Sequence, residues 1–230
     1  MIRTAIIGAF VAGLLAPAGA VAGDFTPPEG CEGQLTVQYR GCLMMNLWTC
    51  QGEPEGDKWM ALFTDLGLLR LRKVDHEFQW LETHYSQSPV PEIMLTPAPD
   101  PASVTDLLAD KIDTYEFSKQ YVGQEPRRYK GFDRLTGATT VVSGETLLNT
   151  EYAYQSFAPD GTLLDERSGR QFIHPEFRIF LFGESAGPDG SAPSSHMPAE
   201  ILRAGDQGFF ADAPKYDCGA MLSSLPLEET

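Results

Sequence analysis

The sequence predicts a mainly β protein: an antiparallel meander that forms a curved sheet or half-barrel, with one or two short helices. Short runs rich in β-branched and aromatic residues recur along the chain, and clusters of turn-forming residues separate them. Only one segment, near residue 104, shows the clear apolar spacing of an amphipathic helix. Strands at this spacing with so little helix argue against alternating β-α-β units.

Residues 1–22 have the pattern of an export signal. The segment begins with the basic residue Arg3 and continues with an apolar run over residues 5–15. It ends with small residues at 20–22, the positions that a signal peptidase recognises. The apolar run is too short to span about 30 Å of hydrocarbon as a permanent anchor. No segment after residue 22 is long and apolar enough to cross a membrane. We therefore expect a periplasmic or secreted protein with no membrane span after signal removal.

Four cysteines follow the signal, and in an exported chain they predict two disulfides with three possible connectivities. One arrangement follows if Arg40-Gly41 is a two-residue hairpin turn, because Cys31 then faces Cys50 across the hairpin. Cys42 would be left to bond Cys218, which ties the C-terminal region to the first hairpin.

The next part of the chain contains a predicted strand and a predicted connector. Residues 74–85 alternate better as a strand than as a helix, which places His76, Glu82 and His84 on one face. Five prolines within 89–101 then indicate an extended connector, and this is the one internal boundary that the sequence supports.

The clearest helix of the chain starts where the connector ends. Asp100 suits the N-cap and Pro101 suits the first helical position. One apolar stripe then comprises Val104, Leu107, Leu108 and Ile112.

An antiparallel meander follows between residues 114 and 182. Turn signals recur at 123–126, 133–137, 143–144, 159–161 and 168–169, with β-prone runs between them. The predicted organisation is a signal peptide (1–22), an N-terminal β region with a disulfide hairpin (23–88), the proline-rich connector (89–101), the helix and meander in the same domain (102–222), and a flexible tail (223–230).

Composition and charge narrow the function classes. A hydrophobic content of 42% and a charged content of 21% are typical of a folded protein and exclude a chain that is disordered as a whole. The formal net charge is −15, from 32 acidic and 17 basic residues. Such a surface repels phosphates and anionic head groups, so we expect no nucleic-acid partner and no electrostatic docking on anionic membranes.

Aromatic residues of the meander are the candidate ligand-binding residues. Tyr152 and Tyr154 share one face of a predicted strand, and Phe157 takes the other face. In most β proteins such residues fill the core. A curved sheet can instead leave its concave side as an apolar cleft for a lipid-like molecule.

A G-x-S-x-G motif, Gly183 to Gly187, follows an apolar strand. The string resembles the serine motif of carboxylesterases of the α/β-hydrolase family. This resemblance implies Ser185 as a nucleophile followed by an acid and a histidine, and His196 is the histidine that follows in this chain. A nucleophile elbow also opens a helix, whereas 188–190 predicts a turn. A strand-ending turn is the favoured interpretation, with Ser185 as the alternative catalytic residue.

Glu82 and His84 are the candidate metal ligands, because a carboxylate and an imidazole could share an ion. Same-face residues rise about 6.6 Å apart along a strand, so His76 would be too distant to join them. Half-exposed polar residues are the favoured interpretation, and we predict no metal and no other cofactor.

Together these patterns predict an exported binding protein of the cell envelope that holds a hydrophobic or lipid-like molecule or contacts an envelope protein. The pattern is similar to that of curved-sheet and half-barrel envelope proteins, including carriers of lipoproteins and lipids, although no family motif matches residue by residue. Two alternatives stay open: a serine esterase-type hydrolase that uses Ser185, and a structural or assembly accessory protein without a small ligand.

Overall fold

A computed structural model describes residues 25–187 and 194–219, which form one antiparallel sheet and one short helix. The mainly β meander that the sequence predicts is confirmed. The predicted signal peptide (1–22) and the predicted tail (223–230) lie outside the described residues. Within the described ranges, no helix has the length and apolar character needed to cross a membrane.

The elements follow one another in a simple order. They are β1 (Cys31–Tyr39), β2 (Leu43–Cys50), β3 (Lys58–Thr64), β4 (Gly67–Val74), β5 (Trp80–Tyr85), β6 (Glu92–Asp100), α1 (Val104–Asp110), β7 (Ile112–Tyr121), β8 (Arg127–Val142), β9 (Glu145–Phe157), β10 (Leu163–His174), β11 (Ile179–Ala186), β12 (Ser194–Ser195) and β13 (Pro198–Leu202).

The sheet is strongly curved and stays open. Its strands run in chain order from β12 at one edge to β1, and β13 adds beyond β1 at the other edge. Apolar side chains of β1 and β2 nevertheless pack in one core with those of β10 and β11. The rings of Tyr39 and Phe182, on strands far apart in the sheet order, are 5.3 Å apart. The concave face therefore wraps around the main core.

The first hairpin differs from the prediction in its turn and agrees with it at its ends. The turn holds residues 40–42 rather than Arg40-Gly41 alone, which changes the pairing register by one position. A bulge between Gly33 and Leu35 reverses that change. Cys31 therefore lies opposite Cys50, and the two form a disulfide.

The C-terminal segment covers a second apolar cluster on the outer face of β2 and β3. Asn46 Nδ2 donates a hydrogen bond to the Ala211 carbonyl oxygen at 2.8 Å. The disulfide between Cys42 and Cys218 attaches the end of this segment to the first hairpin, as the sequence predicts. The buried members of the outer cluster are Met44, Trp48, Ala61, Phe63, Phe210 and Ala211.

The proline-rich segment is a strand, and the predicted connector (89–101) is wrong. This segment forms β6, which lies between β5 and β7 in the sheet. Pro97 and Pro99 fall between the two stretches of β6 that pair with β7. At that point a missing backbone N–H removes no ladder hydrogen bond. The residues before and after β6 therefore share one sheet, and no boundary divides them.

The turn between β4 and β5 replaces the single strand predicted over 74–85. The Asp75 carboxylate accepts hydrogen bonds from the backbone N–H groups of Glu77 and Gln79, at 3.0 and 2.8 Å. These bonds fix the turn. His76 consequently lies in the turn and not on a strand face.

The helix begins later and ends earlier than predicted. Its N-cap is Ser103 rather than Asp100, because the Ser103 hydroxyl accepts a hydrogen bond from a backbone N–H of the first turn. Lys111 adopts the left-handed conformation at the C-cap. Ile112 therefore starts β7 and is exposed, instead of extending the apolar stripe of the helix.

Two of the predicted turns lie inside strands. β8 continues through 133–137 with a shift in register, and β10 continues through 168–169. A Cβ atom on Gly169 would overlap with the Glu184 carbonyl oxygen of β11. This glycine therefore permits a close approach of two strands. The other three turn signals separate strands as predicted.

Candidate functional site

A cavity of about 250 Å³ lies against the concave face of the sheet. Every strand from β3 to β11 contributes to its wall, together with residues at the start of α1. This volume is close to the lower end of the range of about 300–1,000 Å³ that small-molecule pockets occupy. The aliphatic and phenylalanine part of the wall includes Met60, Phe78, Met94, Val104, Phe180 and Leu181.

Aromatic rings form the middle of the cavity wall. Phe117 stacks on Tyr129 with ring centroids 5.4 Å apart, and Trp80 approaches Phe117 edge-on at 6.3 Å. The series continues with Tyr154, 6.2 Å from Tyr129, and ends with Tyr152, which stacks 6.4 Å from Tyr154. We call these five residues the aromatic wall. It offers a continuous apolar surface across four strands.

Arg70, Arg72 and Lys119 form a group of cations that we call the cationic end; Arg72 and Lys119 are buried and Arg70 is half-buried. Arg72 lies over the Trp80 ring at 4.0 Å and Lys119 approaches the same ring at 4.6 Å, so one indole is flanked by two cations. Arg72 is 6% exposed and Lys119 is 4% exposed. Both arginines line the cavity beside Trp80.

The cationic end has more positive than negative charge. Glu92 Oε2 pairs with Lys119 Nζ at 2.9 Å. In the part of the chain that the structure describes, no carboxylate lies within 4.0 Å of either arginine, and Arg72 Nε donates to Thr83 Oγ1 at 3.0 Å. Burial, reinforced by the neighbouring positive charges, lowers the pKa of Arg72 and of Lys119. An anion bound at this site would therefore stabilise the buried positive charges.

Asp113 and Asp133 form a second charged group, the acidic end. The two residues are directly paired on β7 and β8, and each is 7% exposed. Asp113 accepts a hydrogen bond from the Ser103 backbone N–H at 3.0 Å, and Asp133 accepts one from Gln171 Nε2 at 2.6 Å. Burial raises the pKa of Asp113 to about 6 and that of Asp133 to about 7, and the charge of Asp113 adds to the increase at Asp133.

The two charged ends are separated along the strands. Asp113 and Lys119 lie on the same face of β7, six positions apart, which corresponds to about 20 Å at 3.3 Å per residue. Tyr115 and Phe117 lie between them on that face. The lining of the cavity is therefore cationic at one end, aromatic in the middle and acidic at the other end.

The predicted ligand-binding residues separate into two groups in the structure. Tyr152 and Tyr154 line the cavity. Phe157 lies on the opposite face of β9, where the Arg128 guanidinium packs over its ring at 4.9 Å. The alternation of side chains along the strand explains this separation.

Sequence reasoning missed the charged residues of the cavity, because a charge in a strand usually marks a solvent-facing position. A signal was present in β7. Asp113 and Lys119 alternate in phase with Tyr115 and Phe117, so all four side chains share one face of the strand. Charges in phase with aromatic residues predict a polar site within an apolar surface.

Ser185 lies within β11, where it pairs with Ser194 of β12, and not in the predicted strand-ending turn. Ser185 and His196 line a smaller cavity of about 230 Å³. The His196 Nδ1 atom is 3.3 Å from the Arg40 carbonyl oxygen. Among the residues with described positions, no carboxylate pairs with this imidazole. The turn predicted at 188–190 lies outside the described residues.

Glu82 and His84, the predicted metal candidates, contact each other on an exposed face of β5. Glu82 Oε1 lies 2.5 Å from His84 Nε2. The side chains are 36% and 45% exposed. The contact between Glu82 Oε1 and His84 Nε2 therefore occupies two atoms that could otherwise bind a metal ion.

Glu145, His174 and Glu176 form a second cluster with metal-ligand chemistry, and their ligand atoms lie within 4.8 Å of one another. The Arg203 guanidinium donates to both carboxylates at 2.6 Å. Arg203 therefore already supplies the positive charge that these carboxylates require. The cluster joins the end of β13 to the β8–β9 and β10–β11 turns.

Comparison with known proteins gives no match: no protein-family model, no curated protein and no solved structure matches this chain. Function is therefore inferred from the geometry and chemistry of the site itself.

Proposed function

We propose that this protein is an exported binding protein, without enzymatic activity, that holds a hydrophobic small molecule in the concave cavity. The observation that carries the proposal is the aromatic wall, which presents stacked rings to the cavity of about 250 Å³. Pockets for small molecules combine such apolar surfaces with a few polar groups. The cationic end and the acidic end supply those polar groups.

The proposed compartment is the periplasm or the extracellular space. The signal pattern over residues 1–22 supports export. The disulfides Cys31–Cys50 and Cys42–Cys218 support it independently, since such bonds persist in oxidising environments. The net charge of −15 favours a small molecule over nucleic acid as the ligand.

Binding of the neutral fluorophore N-phenyl-1-naphthylamine tests the proposal. We expect saturable one-to-one binding to the wild-type protein with an increase in fluorescence. Ala102 lines the cavity, so Ala102→Trp should fill part of it and weaken binding about tenfold or more, equivalent to about 1.4 kcal/mol.

The matched control is Ala109→Trp, because Ala109 is an exposed alanine on α1, the helix that begins two residues after Ala102. This variant adds the same side chain outside the cavity and should bind as the wild type does. Equal affinity of all three proteins, or a fluorescence signal that does not saturate, would contradict the proposed function.

A further inference from the structure

We infer that the ligand is an amphipathic anion, whose oxyanion head binds Arg70 and Arg72 and whose apolar body lies along the aromatic wall. This inference rests on the proposed function of the cavity and specifies the chemical class of its ligand.

The two arginines, Arg72 buried and Arg70 half-buried, provide a site for an oxyanion. A buried charge is costly unless a partner of opposite charge and hydrogen bonds compensate it. Lys119 has Glu92 as a partner at 2.9 Å, whereas Arg70 and Arg72 have no carboxylate within 4.0 Å among the described residues. An anionic head group would supply the missing charge.

The hydrogen-bonding capacity of Arg72 leads to the same chemistry. A guanidinium has five N–H donors arranged as a fork that matches a carboxylate or a phosphate. Nε of Arg72 donates to Thr83 Oγ1, and the guanidinium carbon lies over the Trp80 ring, 4.0 Å from its centroid. The fork is therefore fixed in orientation while its side chain lines the cavity.

The acidic end determines the orientation of such a ligand. Asp113 and Asp133 would repel an anionic head, and they lie about 20 Å along the strand direction from Lys119. The outer surface of the protein is also unfavourable for an anion, since the net charge is −15. The cationic end thus favours a negative head group, and the aromatic wall begins directly beside it.

Displacement of N-phenyl-1-naphthylamine by three molecules with the same ten-carbon chain tests the inference at pH 7.5. The molecules are decanoate, decyl phosphate and the uncharged decanol. We expect at least one of the two anions to bind about tenfold or more tightly than decanol, equivalent to about 1.4 kcal/mol. The relative affinity of decanoate and decyl phosphate then distinguishes a carboxylate head from a phosphate head.

The variants Arg70→Gln and Arg72→Gln should reduce the preference for the anions to less than threefold while decanol still binds. The matched control is Arg128→Gln, since Arg128 is exposed and packs on Phe157 on the opposite face of the sheet. It should keep the full preference. Arg70→Lys, which keeps the charge and loses the fork, should give an intermediate preference and serves if a glutamine variant fails to fold.

The outcomes separate this inference from the function on which it rests. Equal binding of decanol and both anions by the wild type would overturn the inference and leave the cavity as a hydrophobic site. An anion preference that persists unchanged in both glutamine variants would overturn it as well. Failure of the fluorophore and of all three chains to bind would instead overturn the proposed function.

Discussion

Loss of the Cys42–Cys218 disulfide is expected to lower the free energy of unfolding by about 5 kcal/mol. The bond closes a loop with a sequence separation of 176, and the loop-entropy relation gives about 5 kcal/mol for that length. It also holds the C-terminal segment, which covers the outer apolar cluster around Trp48 and Phe210. The double variant Cys42→Ala/Cys218→Ala should therefore unfold at a much lower urea concentration, measured by circular dichroism.

The second disulfide is the matched comparison. Cys31–Cys50 closes a loop with a separation of 19, for which the same relation gives about 3 kcal/mol. The double variant Cys31→Ala/Cys50→Ala should consequently be the more stable of the two. If it lost as much stability as the Cys42→Ala/Cys218→Ala variant or more, the role assigned to the long-range bond would be wrong.

The substitution Asp133→Asn is expected to stabilise the protein at pH 8 by about 3 kcal/mol. In the folded protein the pKa of Asp133 is raised from 3.8 to about 7, mainly by burial. The folded state therefore binds more protons than the unfolded state between about pH 4 and pH 7, and the free energy of unfolding falls as the pH rises through that window. Each pKa unit corresponds to about 1.36 kcal/mol, and because Asp113 interacts with this carboxylate, Asp133 accounts for only part of the total.

The pH dependence provides the check on this prediction. At pH 4 the wild type and Asp133→Asn should have similar stability, because Asp133 is then protonated and its partner Gln171 can still donate to either side chain. Thermal unfolding followed between pH 4 and pH 8 should show the two curves separating as the pH rises. Asp212→Asn, at an exposed position, is the control and should follow the wild type. Parallel curves for Asp133→Asn and the wild type would contradict the prediction that burial raises the pKa of Asp133.

The first hairpin shows how a sequence prediction can reach the correct disulfides through an incomplete register. The sequence-based prediction assumes a two-residue turn and regular pairing, whereas the turn has one more residue and a bulge follows near Gly33. The two irregularities cancel, so Cys31 still faces Cys50. Neither could be predicted separately, because a bulge depends on tertiary packing: a Cβ on Gly33 would lie 2.7 Å from the Phe210 ring.

The incorrect boundary at 89–101 has a different cause. Proline density argues against a strand only where each backbone N–H has a partner in the sheet. In β6 the prolines Pro97 and Pro99 occupy the unpaired stretch of an otherwise paired strand. Glu92, at the paired start of the same strand, is buried and contacts Lys119. Local composition carries no information about which strands pair. It therefore cannot distinguish a proline-rich connector from a strand that contains prolines.

The candidate site was predicted in its apolar part and missed in its charged part. The shared face of Tyr152 and Tyr154 follows from the two-residue period of a strand, and both residues line the cavity. Arg70 and Arg72 lie two residues apart on β4 and so share one face of that strand. The sequence does not show whether that face is the outer or the inner face of the sheet. That distinction arises from the curvature of the whole sheet.

The methyl groups of the methionines give the most direct test of the central claim, that the concave cavity binds an apolar ligand. Met60 and Met94 line the cavity, whereas Met197 is exposed elsewhere. In protein labelled with ¹³C at the methionine methyl groups, we expect titration with decanoate to shift the NMR signals of Met60 and Met94 with one common saturation curve. The signal of Met197 should not move. Saturating shifts confined to Met197, or no shift at Met60 and Met94 while decanoate binds, would contradict the claim.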